Sequence, residues 1–550
     1  MCGIFGIASL DRAPVAGLSA RLSTLRDRGP DNVGEARFDH VALFHTRLAV
    51  IDAKEMSNQP LRGDGIALVC NGEILNHSDL REEGGSYRYL TPSDCEAVID
   101  VYARLGIEGF GRLDGFFAFA LFDSRREVLI LHRDNVGKKP LFWTSDGRRV
   151  LLASNVTTLL ENLELTPPVD RGQIPFLLRN GFVDPRASLF HGIRPVLPGQ
   201  VVEIDLRTGR IAERRLDKPW RRYDGFDWKD ERLVQRTIEE LLHDSCAKRA
   251  RGLRAPVLIL SGGVDSTVLA HELVKLSSGT QLVTLKQPVR WLNDEPYARE
   301  AARSLGRPLL FARLPLRPFP EVRSLVRKLD QPLSLLSYVF LALLAVEARR
   351  FGNVLFTGDG ADEVFFGYRG FDEWEGVAPG DDSAAPLVSG PPFGFPLSRY
   401  GRTQGVLDLV GHAFMKVDKA TAENAMEARC PFLDWDLMAF VRQVPAAYWR
   451  AQGRRLKRPL RDYLLARGVP RAFVERKKLG FAFPFRYLLA PSLPAIRAQI
   501  HAGAGVLRDL GVEVDFDESP WASFRSFQRT WAQFVLADYF ARIARAPVTD

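Results

Sequence analysis

The hydrophobic pattern of the chain changes character once, near Leu233, and that change restricts it to two kinds of core. Before it, short apolar runs alternate with turns: HVALFHTRLAVID (40–52), GIALVCNGEI (65–74), FFAFALFD (116–123) and EVLILHRD (127–134). Runs of this length, rich in β-branched and aromatic residues, read as strands. Two helical stretches interrupt them, around Ala16–Arg26 and Ser93–Leu105, the second with Ser93 or Asp94 as its N-cap. Sheets packed on sheets with helices outside are the expected arrangement. After Leu233, helical patterns and apolar runs take turns: APVLILSGG, VDSTVLAHELVKL, TQLVTL, EPYAREAARSLG, then NVLFTGDG. That alternation is the pattern of a doubly wound α/β domain. The expected division is residues 2–205, a charged connector over 206–232, and 233–550.

Bulk properties exclude several classes. An apolar fraction of 46% and a charged fraction of 26% are those of a globular enzyme. Five cysteines at irregular spacing, with no CxxC, argue against a disulfide scaffold or a zinc site and fit a reducing cytoplasm. The start, MCGIFGIASL, lacks the basic segment of a secretory signal. The apolar run from Pro332 to Val346 is too short to span a bilayer and reads as a buried helix. The formal charge of +8 gathers in KRARGLR (248–254) and GRRLKRPLR (453–461). No nucleic-acid motif accompanies these runs, so solvated faces and phosphate-binding arginines are the preferred reading. The expected partners are small molecules, with no nucleic acid and no membrane; a homodimer is compatible with the sequence but not read from it.

Cys2 follows the initiator Met, whose removal is expected to free an amino-terminal cysteine. Such a residue carries its own base, an α-amine with an ordinary pKa of about 8, so nucleophile and general base share one residue. A glutamine-hydrolysing site also needs a cation for the substrate carboxylate, acids for its ammonium and donors for an oxyanion. Arg47 offers the cation, Asn71 and Gly72 the donors, Glu73 and Asp94 the acids. Taken singly, these residues read equally well as surface charges and a hairpin turn.

Together they resemble the amino-terminal nucleophile glutaminase domain of class B, glutamine-hydrolysing asparagine synthetases. MCGIFGIA, RGPD (28–31), NGEILN (71–76), SDCE (93–96) and RDNVGKKPL (133–141) match that family's boxes in order. The resemblance implies an αββα sandwich with Cys2 as nucleophile and Asn71 with Gly72 as oxyanion hole. It assigns glutamine binding to Arg47, Leu48, Ala49, Val50, Ile51, Asn71, Gly72, Glu73 and Asp94. One departure is Asn155 in LASNVTTLL, where the family usually has Glu.

In the second domain, VLILSGGVDST (257–267) is a strand, a glycine turn and a helix. Its glycines allow backbone N–H groups to approach a pyrophosphate at the positive end of the helix, and no Walker lysine is present. The loop resembles that of ATP pyrophosphatases, which transfer AMP. FTGDGADEVFFGY (356–368) sets Asp359, Asp362 and Glu363 beyond an apolar strand, where α/β sheets bind ligand. Asp265 and Asp362 are candidates for holding Mg²⁺ with hard oxygen ligands. EARCPFLD (427–434) and RKKLGFAFPF (476–485) extend the family resemblance through nearly the whole chain.

By that resemblance ATP contacts Leu260, Ser261, Gly262, Gly263, Asp265, Ser266, Leu285, Thr357 and Gly358. Asp359 takes the acidic position important for the acyl-adenylate, and Lys478, rather than Lys477, neutralises charge there. The implied reaction releases ammonia from glutamine and delivers it to a carboxylate activated as acyl-AMP. Aspartate is the first acceptor to consider. The apolar stretch LDQPLSLLSY (329–338), without the arginine of well-known asparagine synthetases, and Lys286 in place of a glycine make another carboxylic acid the alternative. A non-catalytic binding relative would have eroded boxes, whereas Cys2, SGGVDS and Lys478 are intact.

Overall fold

The computed structural model describes residues 1–15, 20–50, 55–85, 87–216, 218–286, 294–313, 318–367, 414–445, 447–449, 456–476, 489–514 and 523–543. Within these residues the amino-terminal half forms two six-stranded sheets. Gly3–Ser9 lies inside the first, antiparallel to Val41–Arg47 on one side and Arg149–Ala153 on the other. Ile66–Ile74 and Gly115–Asp123 are antiparallel neighbours inside the second.

Strand periodicity explains the layering, because successive side chains point to opposite faces. Ile4 and Ala8 meet Ala67, Val69, Ala118, Ala120 and Leu131 in a core between the sheets. Phe5 and Ile7, one residue out of step, instead pack with Leu159 and Leu177 of helices Val156–Asn162 and Gln173–Asn180. On the far side Leu68, Cys70, Phe117 and Phe119 pack with Val98 and Val101 of helix Glu96–Leu105. The result is the expected αββα sandwich.

Local details differ from expectation. The early helix is confined, among the described residues, to Ser23–Arg26. The second begins at Glu96, and neither Ser93 nor Asp94 caps it; the Asp94 carboxylate accepts the Ile74 N–H at 2.7 Å instead. Asn155, the departure from the family pattern, is an N-cap: its side chain accepts the Thr158 N–H at 2.8 Å and starts helix Val156–Asn162. Within the stretch expected as connector, Ile211–Arg215 forms a strand paired with Gln200–Asp205. The Asp205 carboxylate makes that hairpin by accepting the N–H groups of Arg207 and Thr208.

The second domain is built on a five-stranded parallel sheet. Its spatial order is Leu309–Arg313, Gln281–Lys286, Val257–Ile259, Val354–Phe356, Glu427–Arg429. In chain order that is 3-2-1-4-5, so the winding reverses between Val257–Ile259 and Val354–Phe356. Ligands of open parallel sheets bind at the carboxyl ends of strands flanking such a reversal. The apolar run forms a buried helix, Leu336–Ala348, and no described helix is long and apolar enough to cross a membrane.

One hydrophobic cluster runs from Phe5 and Leu159 through Phe182 to Leu333, Leu336 and Leu258, fusing the domains. Polar contacts reinforce it. The Val156 N–H donates to Asp330, the Leu189 N–H to Gln331 and Asn353 to the Ala49 carbonyl.

Candidate active sites and family

The antiparallel register places Gly3 opposite Thr46, which sets Cys2 beside Arg47 and Leu48 where both strands end. Cys2 is half-buried. Burial pushes its thiol pKa up; the amino-terminal ammonium and the Leu48 N–H directed at the sulfur oppose that rise. The chain here begins with Met1, which is buried and whose sulfur contacts the Lys139 ammonium. Burial lowers the Met1 amine to about 5.

Asn71 and Gly72 lie within strand Ile66–Ile74 rather than in a hairpin turn. Gly72 has φ of 144°, and a Cβ there would overlap the Phe116 carbonyl, so only glycine fits. The Asn71 side chain is 0% exposed, and among the described residues neither its Oδ1 nor its Nδ2 has a hydrogen-bond partner. A buried amide without partners is costly unless it serves a ligand. Cys70 and Cys95, distant from Cys2 in sequence, both lie close enough to influence its neighbourhood electrostatically.

Arg47 donates to Asn58 Oδ1 at 2.8 Å, and the Ala49 N–H to Asp31 at 2.8 Å. Val50 is half-buried, and Ile51 lies outside the described residues. Glu73 pairs at 2.9 Å with Arg429, and Arg429 also pairs with Glu427 at 2.9 Å. Burial raises the Glu73 carboxyl to about 8 against the pull of Arg429. The Arg429 carbonyl in turn accepts the Thr357 N–H at 3.0 Å. Arg28 of the RGPD box, 1% exposed, donates to the Cys2 carbonyl at 3.2 Å and pairs with Asp418 at 3.0 Å. Sequence reasoning gave Arg28, Asp418 and Arg429 no role; only the membership of Arg28 and Arg429 in quoted boxes hinted at one.

The second site sits at the reversal of the sheet. Leu260, Ser261, Gly262 and Gly263 lead from strand Val257–Ile259 into helix Val264–Leu276. Ser266 binds Ser261 at 3.1 Å and the Gly263 carbonyl at 3.2 Å, folding the loop over the helix end. Gly262 has φ of 71° and packs against Tyr297 and Ala298. Leu285, at the end of the neighbouring strand, is buried. Across the reversal, Thr357 is buried, and Gly358 approaches Asp265 closely enough that a Cβ would stand 3.2 Å from the Asp265 Cβ. Asp359 pairs with Lys416 at 3.0 Å.

Asp265 and Asp362 converge on one cation, the Lys457 ammonium, at 2.6 and 2.7 Å. Lys457 belongs to the basic run read from sequence as solvated face, yet it is 6% exposed. Lys477 and Lys478 lie outside the described residues. Their neighbour Arg476 donates to the Gly262 carbonyl at 2.9 Å, tying that box to the glycine loop.

A glutamine amidotransferase domain model matches residues 1–215, and an asparagine synthase model matches residues 237–389 and 408–519. A Mycobacterium bovis protein provisionally named asparagine synthetase (glutamine-hydrolysing) is 28% identical over 591 residues, covering 89% of this chain and 88% of that one. Asparagine synthetase (glutamine-hydrolysing) 1 of Bacillus subtilis is 24% identical over 572 residues, covering 89% and 88%. Amidase chyE of Penicillium rubens is 27% identical over 379 residues, covering 64% of this chain and 55% of that one. The matches define a glutamine amidotransferase joined to an ATP-using synthetase, a carbon–nitrogen ligase. The chain belongs to the glutamine-hydrolysing asparagine synthetase family.

Proposed function

We propose that the chain hydrolyses glutamine at Cys2 and passes the ammonia internally to aspartate activated as aspartyl-AMP, giving asparagine, AMP and pyrophosphate. The observation that carries this reading is the joint between the two sites. Glu73 of the glutamine box meets Arg429, whose carbonyl holds Thr357 of the nucleotide loop.

Removal of Met1 gives Cys2 its own base. The Cys2 thiolate then attacks the glutamine amide, while Asn71 and the Gly72 N–H stabilise the oxyanion. Arg47 binds the substrate carboxylate; Glu73 and Asp94 bind its ammonium. In the synthetase the Ser261–Ser266 loop cradles pyrophosphate, with Leu260, Leu285, Thr357 and Gly358 around the nucleotide. Asp359 and Lys478 flank the acyl-adenylate. Asp265 and Asp362 suit Mg²⁺, because their oxygens already converge on one positive charge. Bound there, Mg²⁺ would neutralise phosphate charge. Internal transfer matters because ammonia released to neutral water is mostly protonated and no longer nucleophilic. The five cysteines are all free, which suits a cytoplasmic enzyme.

A second reading keeps the chemistry and changes the acid. Asp330 and Gln331 serve the domain seam, and Tyr338 donates to the Leu325 carbonyl and Glu423. Those side chains are therefore engaged away from an acceptor. Pyrophosphate release with ATP, glutamine and a panel of carboxylic acids tests both readings. Stimulation by aspartate supports the first; stimulation by another acid and not aspartate rejects it. Cys2→Ala should lose glutamine use and keep ammonia use, and loss of both would reject the two-site scheme.

A further inference from the structure

Lys457 stands where three independent features converge. Its ammonium bridges Asp265, in the first turn after the glycine loop, and Asp362, beyond the opposite strand. Its backbone adopts φ of 56°, a left-handed conformation uncommon for a residue with a side chain. The Lys457 N–H donates to the Phe365 carbonyl at 3.2 Å and anchors that conformation. Gly367 makes the room, since a Cβ there would overlap both Asp362 and the Lys457 stem. The fold thus holds an ammonium between two carboxylates at the mouth of the phosphate loop.

The position is electrostatically double-edged. Two carboxylates facing one point repel each other without a cation between them. Yet the amino-terminal end of helix Val264–Leu276 carries partial positive charge, which favours an anion over an ammonium. Lysine suits both demands, being a compact charge on a stem that can swing, unlike the planar fork of arginine. Among the described residues Asp265 retains a buried oxygen, Oδ1, with no hydrogen-bond partner, so Lys457 leaves its coordination incomplete there.

We propose that Lys457 is a placeholder cation. It keeps Asp265 and Asp362 at the spacing a divalent metal requires, then yields them as its ammonium turns to the phosphate oxygens of the arriving nucleotide. The inference rests on the reading of Asp265 and Asp362 as metal ligands. A purely structural lysine, stapling helix Arg458–Ala466 to the sheet, would not turn to phosphate, and its loss would leave pyrophosphate binding unchanged.

Mn²⁺ titrated into the nucleotide-free, full-length enzyme and followed by electron paramagnetic resonance tests the proposal. Lys457→Met and Lys457→Gln should each bind Mn²⁺ about tenfold more tightly than wild type, because no resident charge must be displaced. At saturating Mn²⁺, the same variants should bind inorganic pyrophosphate about tenfold more weakly. Damage to the fold would weaken both, so opposite signs identify the role. Unchanged or weaker Mn²⁺ binding in both variants, with Asp362→Asn still abolishing it, overturns the placeholder and leaves the metal ligands standing. Unchanged pyrophosphate affinity overturns the turn toward phosphate. Mn²⁺ binding indifferent to Asp362→Asn removes the metal reading and this inference together.

Discussion

Replacing Asp418 with alanine strips the Arg28 guanidinium of its carboxylate deep in the seam between the domains. Arg28 and Asp418 are 1% and 4% exposed and 3.0 Å apart, so water cannot readily take the place of the lost partner. Among the described residues Arg28 Nη2 already lacks a hydrogen-bond partner, and the Cys2 carbonyl alone remains to receive its Nε. Burial alone would raise the Asp418 carboxyl, but Arg28, Lys139 and Lys419 hold it below the ordinary range, so the pair is ionised at neutral pH. Leaving one member of a buried pair unmatched costs about 3–5 kcal/mol. At about 2–4 °C per kcal/mol for large domains, Tm should fall on the order of 10 °C. Calorimetry on wild type, Asp418→Ala and the double variant Arg28→Met/Asp418→Leu measures it. The double variant should recover most of the loss, since apolar replacement removes both desolvated charges. Because Arg28 also holds the residue bearing the nucleophile, glutamine-dependent turnover should drop more than ammonia-dependent turnover. A single variant within about 2 °C of wild type, or a double variant no better than the single, would refute the reasoning.

Two further outcomes can be checked. Gly72→Ala should abolish glutamate release while sparing ammonia-dependent synthesis, because the new Cβ collides with the Phe116 carbonyl beside the oxyanion donors; retained glutaminase activity would contradict the assignment. Burial raises Glu423 to about 8, with Asp330 adding to the rise and Lys419 opposing it. Its folded value lies above its unfolded one, so its contribution is complete below about pH 4.5 and is lost as pH rises toward 8. Glu423→Gln should therefore match wild-type Tm near pH 5 and exceed it above pH 8, and parallel Tm–pH curves would count against this.

Much of this architecture was legible because the relevant physics is local. Short apolar runs such as 65–74 and 116–123 announce strands, and SGGVDS announces a strand, a turn and a helix end. The reversal of the sheet follows less directly, but both acid-bearing loops lie beyond apolar strands, where it places them. What escaped is long-range. Nothing local to Glu73 foretells the Arg429 that reaches it from the far end of the chain. Lys457 sits in GRRLKRPLR, and nothing local separates a buried ammonium from its solvated neighbours. Asp94 resembled a helix cap, yet the strand next to it claims its carboxylate. Asn155 is the converse case: it departs from the family pattern but obeys the ordinary rule for starting a helix.

The seam also decides whether the halves can live apart. Among the described residues Glu427–Arg429 is one of the two outer strands of the parallel sheet, and such a strand carries unpaired peptide groups that invite another chain to add on. Here Lys138 of the glutaminase covers it, donating to the Ala428 carbonyl at 2.7 Å, while Glu73 closes over Arg429. The glutaminase thus shields its neighbour against self-association as well as feeding it ammonia. A synthetase half expressed alone would expose that border, so separating the two activities by truncation trades one catalyst for an aggregation-prone fragment.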